Sequence, residues 1–231
     1  MTALKNWIRS EFILGMKAYD YIFMALMVML QIVVFCIQPD SWVSIVAGIA
    51  GVISVVLCAQ GKISFYFIGF IQNFSYMYLA WQNRFYGEVI ENVFYIVTMI
   101  WGIFLWNKHL EISEEGKQHV QTKKFTIPQW IGSVVITVLA TIGMGYWLNS
   151  IGSAQAYTDA ATNVLAIFGQ LLMVWRFREQ WLWWLLIDIF CIKMWIVAGN
   201  WPMVAMYIAW TINCIYGWYN WSKENEVKEC E

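Results

Sequence analysis

Lys and Arg fall on alternate sides of eight apolar stretches, and this alternation restricts the fold more than any motif does. The stretches run over 19–38, 42–60, 63–82, 87–106, 128–149, 158–175, 181–198 and 201–221. Each is close to the ~20 residues needed to cross ~30 Å of hydrocarbon at 1.5 Å per residue. Lys5, Arg9 and Lys17 precede the first stretch, and Lys62 follows the second. Lys108, Lys117, Lys123 and Lys124 follow the fourth, Arg176 and Arg178 the sixth, and Lys223 and Lys228 the eighth. These are 12 of the 14 cations; Arg84 alone lies on the other side, and Lys193 is inside a stretch. Cytoplasmic connections retain Lys and Arg. The pattern therefore predicts an all-α integral membrane protein with eight transmembrane helices and both termini in the cytoplasm.

Composition agrees: 61% of the 231 residues are hydrophobic and 13% charged, far from soluble averages. The connections are short, except one at 107–127, so no soluble domain fits. No basic stripe points to nucleic acid. Cys36, Cys58, Cys191, Cys214 and Cys230 are an odd number without paired spacing, which argues for apolar packing over a disulfide framework. Residues 1–18 lack the short uninterrupted apolar core of a cleavable signal. Trp7, Ile8, Phe12 and Ile13 stand opposite Lys5, Arg9 and Glu11, the pattern of an amphipathic arm lying along the cytoplasmic interface.

Sliding the sequence against itself by 115 residues lays 41–108 over 156–223 without a gap. Lys62 falls beside Arg176 and Arg178. Tyr66 pairs with Trp181, Asn73 with Asp188, Asn92 with Tyr207, Tyr95 with Trp210 and Thr98 with Asn213. Gly102 pairs with Gly217, Trp106 with Trp221, and Lys108 with Lys223. Only six of 68 positions are identical, so spacing rather than identity carries the repeat. Two three-helix units run parallel only if an odd number of spans separates them. The expected organisation is thus an arm over 1–18, a single transmembrane domain over 19–223, and a tail over 224–231. Within the domain, repeat one spans 41–108, a linker helix 126–149 and repeat two 156–223: a 3+1+3 arrangement with an extra N-terminal helix. A 4+4 division fits the same spacing. Transporters with parallel repeats bind substrate near the midplane, between the halves.

Polar groups within spans are costly and mark candidate sites. Trp181, Trp184 and Asp188 stand at i, i+3 and i+7 and share one helix face. Asp188 lies ~10 Å in from Trp181 along the helix. Asn213, counted from the other end of its span, reaches a similar depth. The repeat brings Asn73 and Thr98 to that level in the first half, flanked by Gln72 and Tyr76. A second layer holds Asn92 and Tyr95 with Tyr207 and Trp210. The candidate substrate-binding set is therefore Gln72, Asn73, Tyr76, Asn92, Trp181, Trp184, Asp188, Tyr207 and Asn213. An aromatic wall beside one carboxylate suits a planar cation. Trp42, Trp106, Trp130 and Trp221 at span ends read as an interfacial belt, and Lys193 as a snorkelling cation.

The sequence assigns no catalytic residue, metal or cofactor. It has no phosphate loop, because Gly61-Lys62 lacks the upstream Gly and the following Ser or Thr. Both histidines, His109 and His119, lie in the 107–127 connection. Pro39, Pro128 and Pro202 all fall at span ends, so broken-helix ion sites have no support. A membrane-embedded enzyme therefore lacks its chemistry. A non-transporting receptor or assembly subunit remains an alternative to a transporter.

Three stretches carry a family resemblance. They are Tyr86-Gly87-Glu88 with Asn92, Tyr95, Gly102 and Trp106; Trp181, Trp184 and Asp188 after the turn Arg176 to Arg178; and Tyr207, Asn213, Tyr216-Gly217 and Trp221. Asp159-Ala160 adds to them. Over about residues 20–223 the chain resembles the PnuC family, bacterial transporters of nicotinamide riboside. The resemblance implies a fold related to the SWEET sugar transporters and a place in the bacterial inner membrane. It also implies facilitated diffusion of the riboside, with trapping by a separate cytoplasmic kinase. The pyridinium ring is a planar cation, and its carboxamide and ribose hydroxyls suit Asn, Gln and Tyr. A carboxylate at 188, where the family admits an amide, leaves room for the sister transporters of thiamine or riboflavin. Pro-Gln stands only at Pro128-Gln129, at the start of the linker helix rather than inside each repeat, which disfavours a sugar transporter. A homo-oligomer is compatible with the sequence, although no G-x-x-x-G face supports one.

Overall fold

A computed structural model describes residues 2–37, 41–82, 84, 86–112, 117–152, 156–197 and 201–229. Its elements are α1 (Thr2–Phe12), α2 (Ala18–Ile37), α3 (Trp42–Ala59), α4 (Ser64–Gln82) and α5 (Tyr86–Asn107). After these come strands β1 (Leu110–Ile112) and β2 (Gln118–Val120), then α6 (Ile127–Ser150), α7 (Ala156–Val174), α8 (Gln180–Val197) and α9 (Trp201–Glu229). Every predicted stretch is thus a helix, and the predicted arm forms α1. Helix α9 runs to Glu229, past the expected boundary at 223. The long 107–127 connection contains an antiparallel hairpin pairing Leu110 with Val120 and Ile112 with Gln118. Each of its strands is only three residues long, too short for a period-2 pattern to stand out.

Local chemistry sets the helix starts. The Ser41 hydroxyl accepts from Ser44 N at 3.3 Å and caps α3. Asp20, in the first turn of α2, accepts from Lys17 N at 2.7 Å, and the Gln60 amide donates to its other oxygen at 2.7 Å. At α6, Gln129 reaches back to accept from Thr126 N at 2.9 Å, with Pro128 in the first turn, where its missing N–H costs nothing.

The chain divides into two compact units, Met1–Thr122 and Lys123–Glu231. In the first, α2 packs on α3, α3 on α4, and α4 on α5. In the second, α6 packs on α7, α7 on α8, and α8 on α9. Among the described residues, four helical segments are long and apolar enough to cross a membrane: Ala18–Ile37, Trp42–Ala59, Val89–Asn107 and Ile127–Ser150. Helices α2 and α6 leave most of their apolar side chains exposed, among them Leu26, Met29, Leu139 and Ile142. Such surface needs lipid or another apolar partner.

The same packing recurs in the two units at the 115-residue offset. In the first, Tyr66 lies edge-on to Trp106, with centroids 5.1 Å apart at 79°. In the second, Trp181 lies edge-on to Trp221, at 5.8 Å and 86°. A Cβ on Gly102 would overlap the Tyr66 ring, and one on Gly217 would overlap Trp181, so each glycine makes room for the ring from the neighbouring helix. The turns before α4 and α8 also match. Gly61 has φ +66° and Arg176 φ +69°. The Gly61 carbonyl accepts from Val120 N at 2.9 Å, and that of Arg176 from Lys123 N at 2.8 Å.

Several expectations are corrected. Glu11 is not on a solvated face; it is fully buried, and its Oε2 accepts from Ser64 N at 2.8 Å. There it caps the start of α4, where a negative charge meets the positive end of the helix. Trp106 and Trp221 are not belt residues, being 0% and 1% exposed. Trp130 packs on Phe125 and Trp183, which leaves Trp42 as the exposed member of the four. The topology marker Lys62 is buried and donates to three backbone carbonyls. Charge counts locate such residues but do not reveal whether water reaches them. Pro39 and Cys230 lie outside the described residues, as do the side chains of Tyr86 and Glu88.

Candidate functional site

The polar residues expected at one level fall, in each unit, on one pair of helices. In the first, Asn73 of α4 is buried. Its Nδ2 donates to the Gly69 carbonyl at 2.8 Å and approaches Met99 Sδ of α5 at 3.3 Å. Thr98 is buried, and its hydroxyl donates to the Phe94 and Tyr95 carbonyls of its own helix at 2.8 and 3.0 Å. Asn92 is buried, Gln72 is half-buried, and Tyr76 is exposed. The Gln72 side chain runs against Gly51, where a Cβ would stand 3.4 Å from its Cδ. Tyr95 donates to Glu91 at 2.6 Å.

In the second unit, Asp188 of α8 and Asn213 of α9 are buried. The Cys214 thiol donates to Asp188 Oδ2 at 3.6 Å, a long contact in keeping with a weak S–H donor. Among the described residues, no cation pairs with Asp188. Lys193 is exposed, as its place on another face predicts. Trp184 is half-buried and leans on Gly169, whose Cβ position is 3.1 Å from its ring. Tyr207 and Trp210 meet edge-on at 5.1 Å, and the Tyr207 hydroxyl and Cys191 thiol hydrogen-bond. Trp181, expected on the same wall as Trp184, is buried in the α8–α9 packing against Trp221 and Gly217.

Sequence reasoning missed Met99 and Cys214. They stand 115 residues apart and touch Asn73 and Asp188, themselves 115 apart. The offset already in hand would have found them had it been applied to sulfur as well as to polar side chains. The adjacent positions are exchanged in size. Gly69 stands where the second unit has Trp184, and Ser54 where it has Gly169. In the first unit Met99 fills the space beside Gly69, with its Cε 2.7 Å from a Cβ there. In the second, the smaller Cys214 leaves that volume to the indole.

Outside the spans, the second unit gathers cations before α8. Arg176 is buried, and Arg178 lies 3.3 Å from Glu179 and over the Trp218 ring at 4.9 Å. Glu179 accepts from Phe125 N at 3.0 Å. Burial, and secondly the Arg176 guanidinium, pull the Lys123 ammonium below its ordinary pKa.

Long apolar helices with exposed aliphatic faces define a multi-pass helical membrane protein. Comparison with known proteins makes this specific. Residues 41–223 match the nicotinamide mononucleotide transporter family, and the chain belongs to that family, the one of the bacterial PnuC transporters. It is 34% identical to the nicotinamide riboside transporter PnuC of Haemophilus influenzae, over 94% of this chain and 95% of that protein. It is 33% identical to the protein of the same name from Neisseria mucosa, over 94% and 86%. A crystal structure of the vitamin B3 transporter PnuC superposes with a TM-score of 0.81 at 33% identity, covering 94% of this chain and 96% of that one.

Proposed function

We propose that this chain takes up nicotinamide riboside across the bacterial cytoplasmic membrane by facilitated diffusion, with retention by a separate cytoplasmic kinase. The observation that carries the reading is Asp188: a buried carboxylate with one thiol contact and, among the described residues, no cation. A buried charge needs a counter-charge, and the pyridinium of the riboside is one. Trp184 on the same helix offers a ring face to that cation, worth ~0.5–2 kcal/mol. Within the same unit Asn213 and Tyr207 supply groups for the carboxamide and ribose, and Trp181 holds the α8 face in position. The names of the relatives point to the same substrate.

In this reading all eight helices α2–α9 span the bilayer, and both termini are cytoplasmic. Helices α4, α7 and α9 have lower hydropathy because they carry Tyr, Asn and Gln, which serve the site and the interfaces. The matched contacts of α3–α5 and α7–α9 support two parallel three-helix repeats, with α6 as linker and α2 as the extra helix. Helix α1 lies along the cytoplasmic surface. The test is uptake of labelled riboside into liposomes containing only this protein, with thiamine and riboflavin as competitors. Downhill, saturable uptake that thiamine and riboflavin leave unchanged is the expected result. Absence of riboside-dependent uptake would sink the proposal, and stronger competition by thiamine would reassign the cation.

A further inference from the structure

None of the candidate residues above lines the cavity of about 490 Å³ that opens between α1 and the β1–β2 hairpin of the first unit. That volume is typical of ligand sites, ~300–1,000 Å³. Its walls are fixed from beneath by Lys62, whose Nζ donates to the carbonyls of Ser10 at 2.6 Å, Leu14 at 2.8 Å and Gln118 at 2.9 Å. All three acceptors line the cavity. The Ser10 hydroxyl also lies 3.3 Å from Gln118 Oε1, across the gap between arm and hairpin.

The lining has two characters. Arg9, Asn6 and Gln118 offer one cation and two amides; Trp7, Leu14 and Ile112 offer apolar surface. Among the described residues no carboxylate lines the cavity, and Glu11 turns away to Ser64 N. Lys5 and Lys17 are exposed on the same arm. So are Ile8 and Ile13, at 44% and 58%, while Ile112 on the hairpin is 71% exposed. A soluble phosphate would use the cation and leave this apolar rim in water.

We propose that the cavity binds the headgroup of an anionic phospholipid from the cytoplasmic leaflet. Its phosphate meets Arg9 and Asn6, its glycerol end lies against Trp7, Leu14 and Ile112, and the exposed isoleucines enter the leaflet. This rests on the cytoplasmic placement of α1 proposed above. Guanidinium and amide donors to a phosphate give charge-assisted hydrogen bonds, and an amphipathic arm bearing cations is attracted to anionic lipid.

The probe is phosphatidylglycerol against phosphatidylcholine, added to the purified full chain in neutral detergent and read by native mass spectrometry. Wild type should retain one phosphatidylglycerol selectively. Arg9→Gln should retain it about tenfold more weakly, the effect of losing a charged hydrogen bond, while Lys5→Gln, outside the cavity, should match wild type. Equal retention by Arg9→Gln and wild type overturns the proposal. So does equal weakening by Arg9→Gln and Lys5→Gln, which would mean diffuse surface attraction, or displacement of the lipid by equimolar inorganic phosphate. Riboside uptake by the same preparation in phosphatidylcholine liposomes separates the two readings. Selective lipid retention without uptake defeats only the transport assignment; uptake without lipid selectivity defeats only this one.

Discussion

In the first unit Asn73 rests on Met99, and the space beside Gly69 is closed by that methionine. In the second, Asp188 rests on Cys214, and the position matching Gly69 carries Trp184, which lies over Gly169. The frame is shared: Tyr66 with Gly102 and Trp106 repeats as Trp181 with Gly217 and Trp221. What differs is where bulk and charge sit on that frame. One unit fills its volume from α5 and presents an amide; the other fills it from α8 and presents an indole and a carboxylate. Equivalent backbones have thus been given unequal chemistry, and the charged, aromatic half belongs to the second unit.

Five substitutions test this comparison. The largest effect is expected from Gly102→Leu and Gly217→Leu, each of which drives a side chain into a neighbouring ring. Both should destabilise the protein by about 3 kcal/mol or more, read as loss of monodisperse protein or a lower melting temperature. Damage from only one would break the equivalence of the frames. Next, Asp188→Ala should weaken riboside binding at least about 30-fold in calorimetry, the cost of stranding a charge partner. Its melting temperature should stay near wild type. A smaller loss in Asp188→Ala than in Asn73→Ala would move the charged role out of the second unit. Trp184→Ala should weaken binding about 3- to 30-fold by removing the ring face. Unchanged affinity there would show that the exchange of bulk with Gly69 is packing alone. The smallest change, about fivefold, is expected from Asn73→Ala, which removes one neutral hydrogen-bonding group.

The sequence was most informative where one-dimensional spacing becomes three-dimensional register. The eight apolar stretches became α2–α9 within a few residues, except at the C-terminal end of α9, and the offset linking Asn73 to Asp188 also links their sulfur partners. Contacts that spacing does not encode were harder to read. Glu11 and Lys62 look like ordinary surface charges in sequence, and only the docking of α1 on the α3–α4 turn buries both. Trp181 and Trp184 lie on one helical face by periodicity. Burial separates them, because Trp181 meets a glycine of α9 and Trp184 a glycine of α7. Periodicity gives a side chain's direction, not which neighbour arrives there.

One further consequence belongs to the paired turns before α4 and α8. Gly61 occupies the left-handed backbone region at no steric cost, whereas Arg176 occupies it with a side chain attached. Mutational drift is therefore lopsided. At position 61 almost any replacement adds backbone strain, on the order of 1 kcal/mol. At 176 the strain is already present, and exchange for glycine would relieve it while discarding a buried guanidinium. Two turns at matching places in the fold are thereby constrained differently, by backbone geometry at one and by a buried charge at the other.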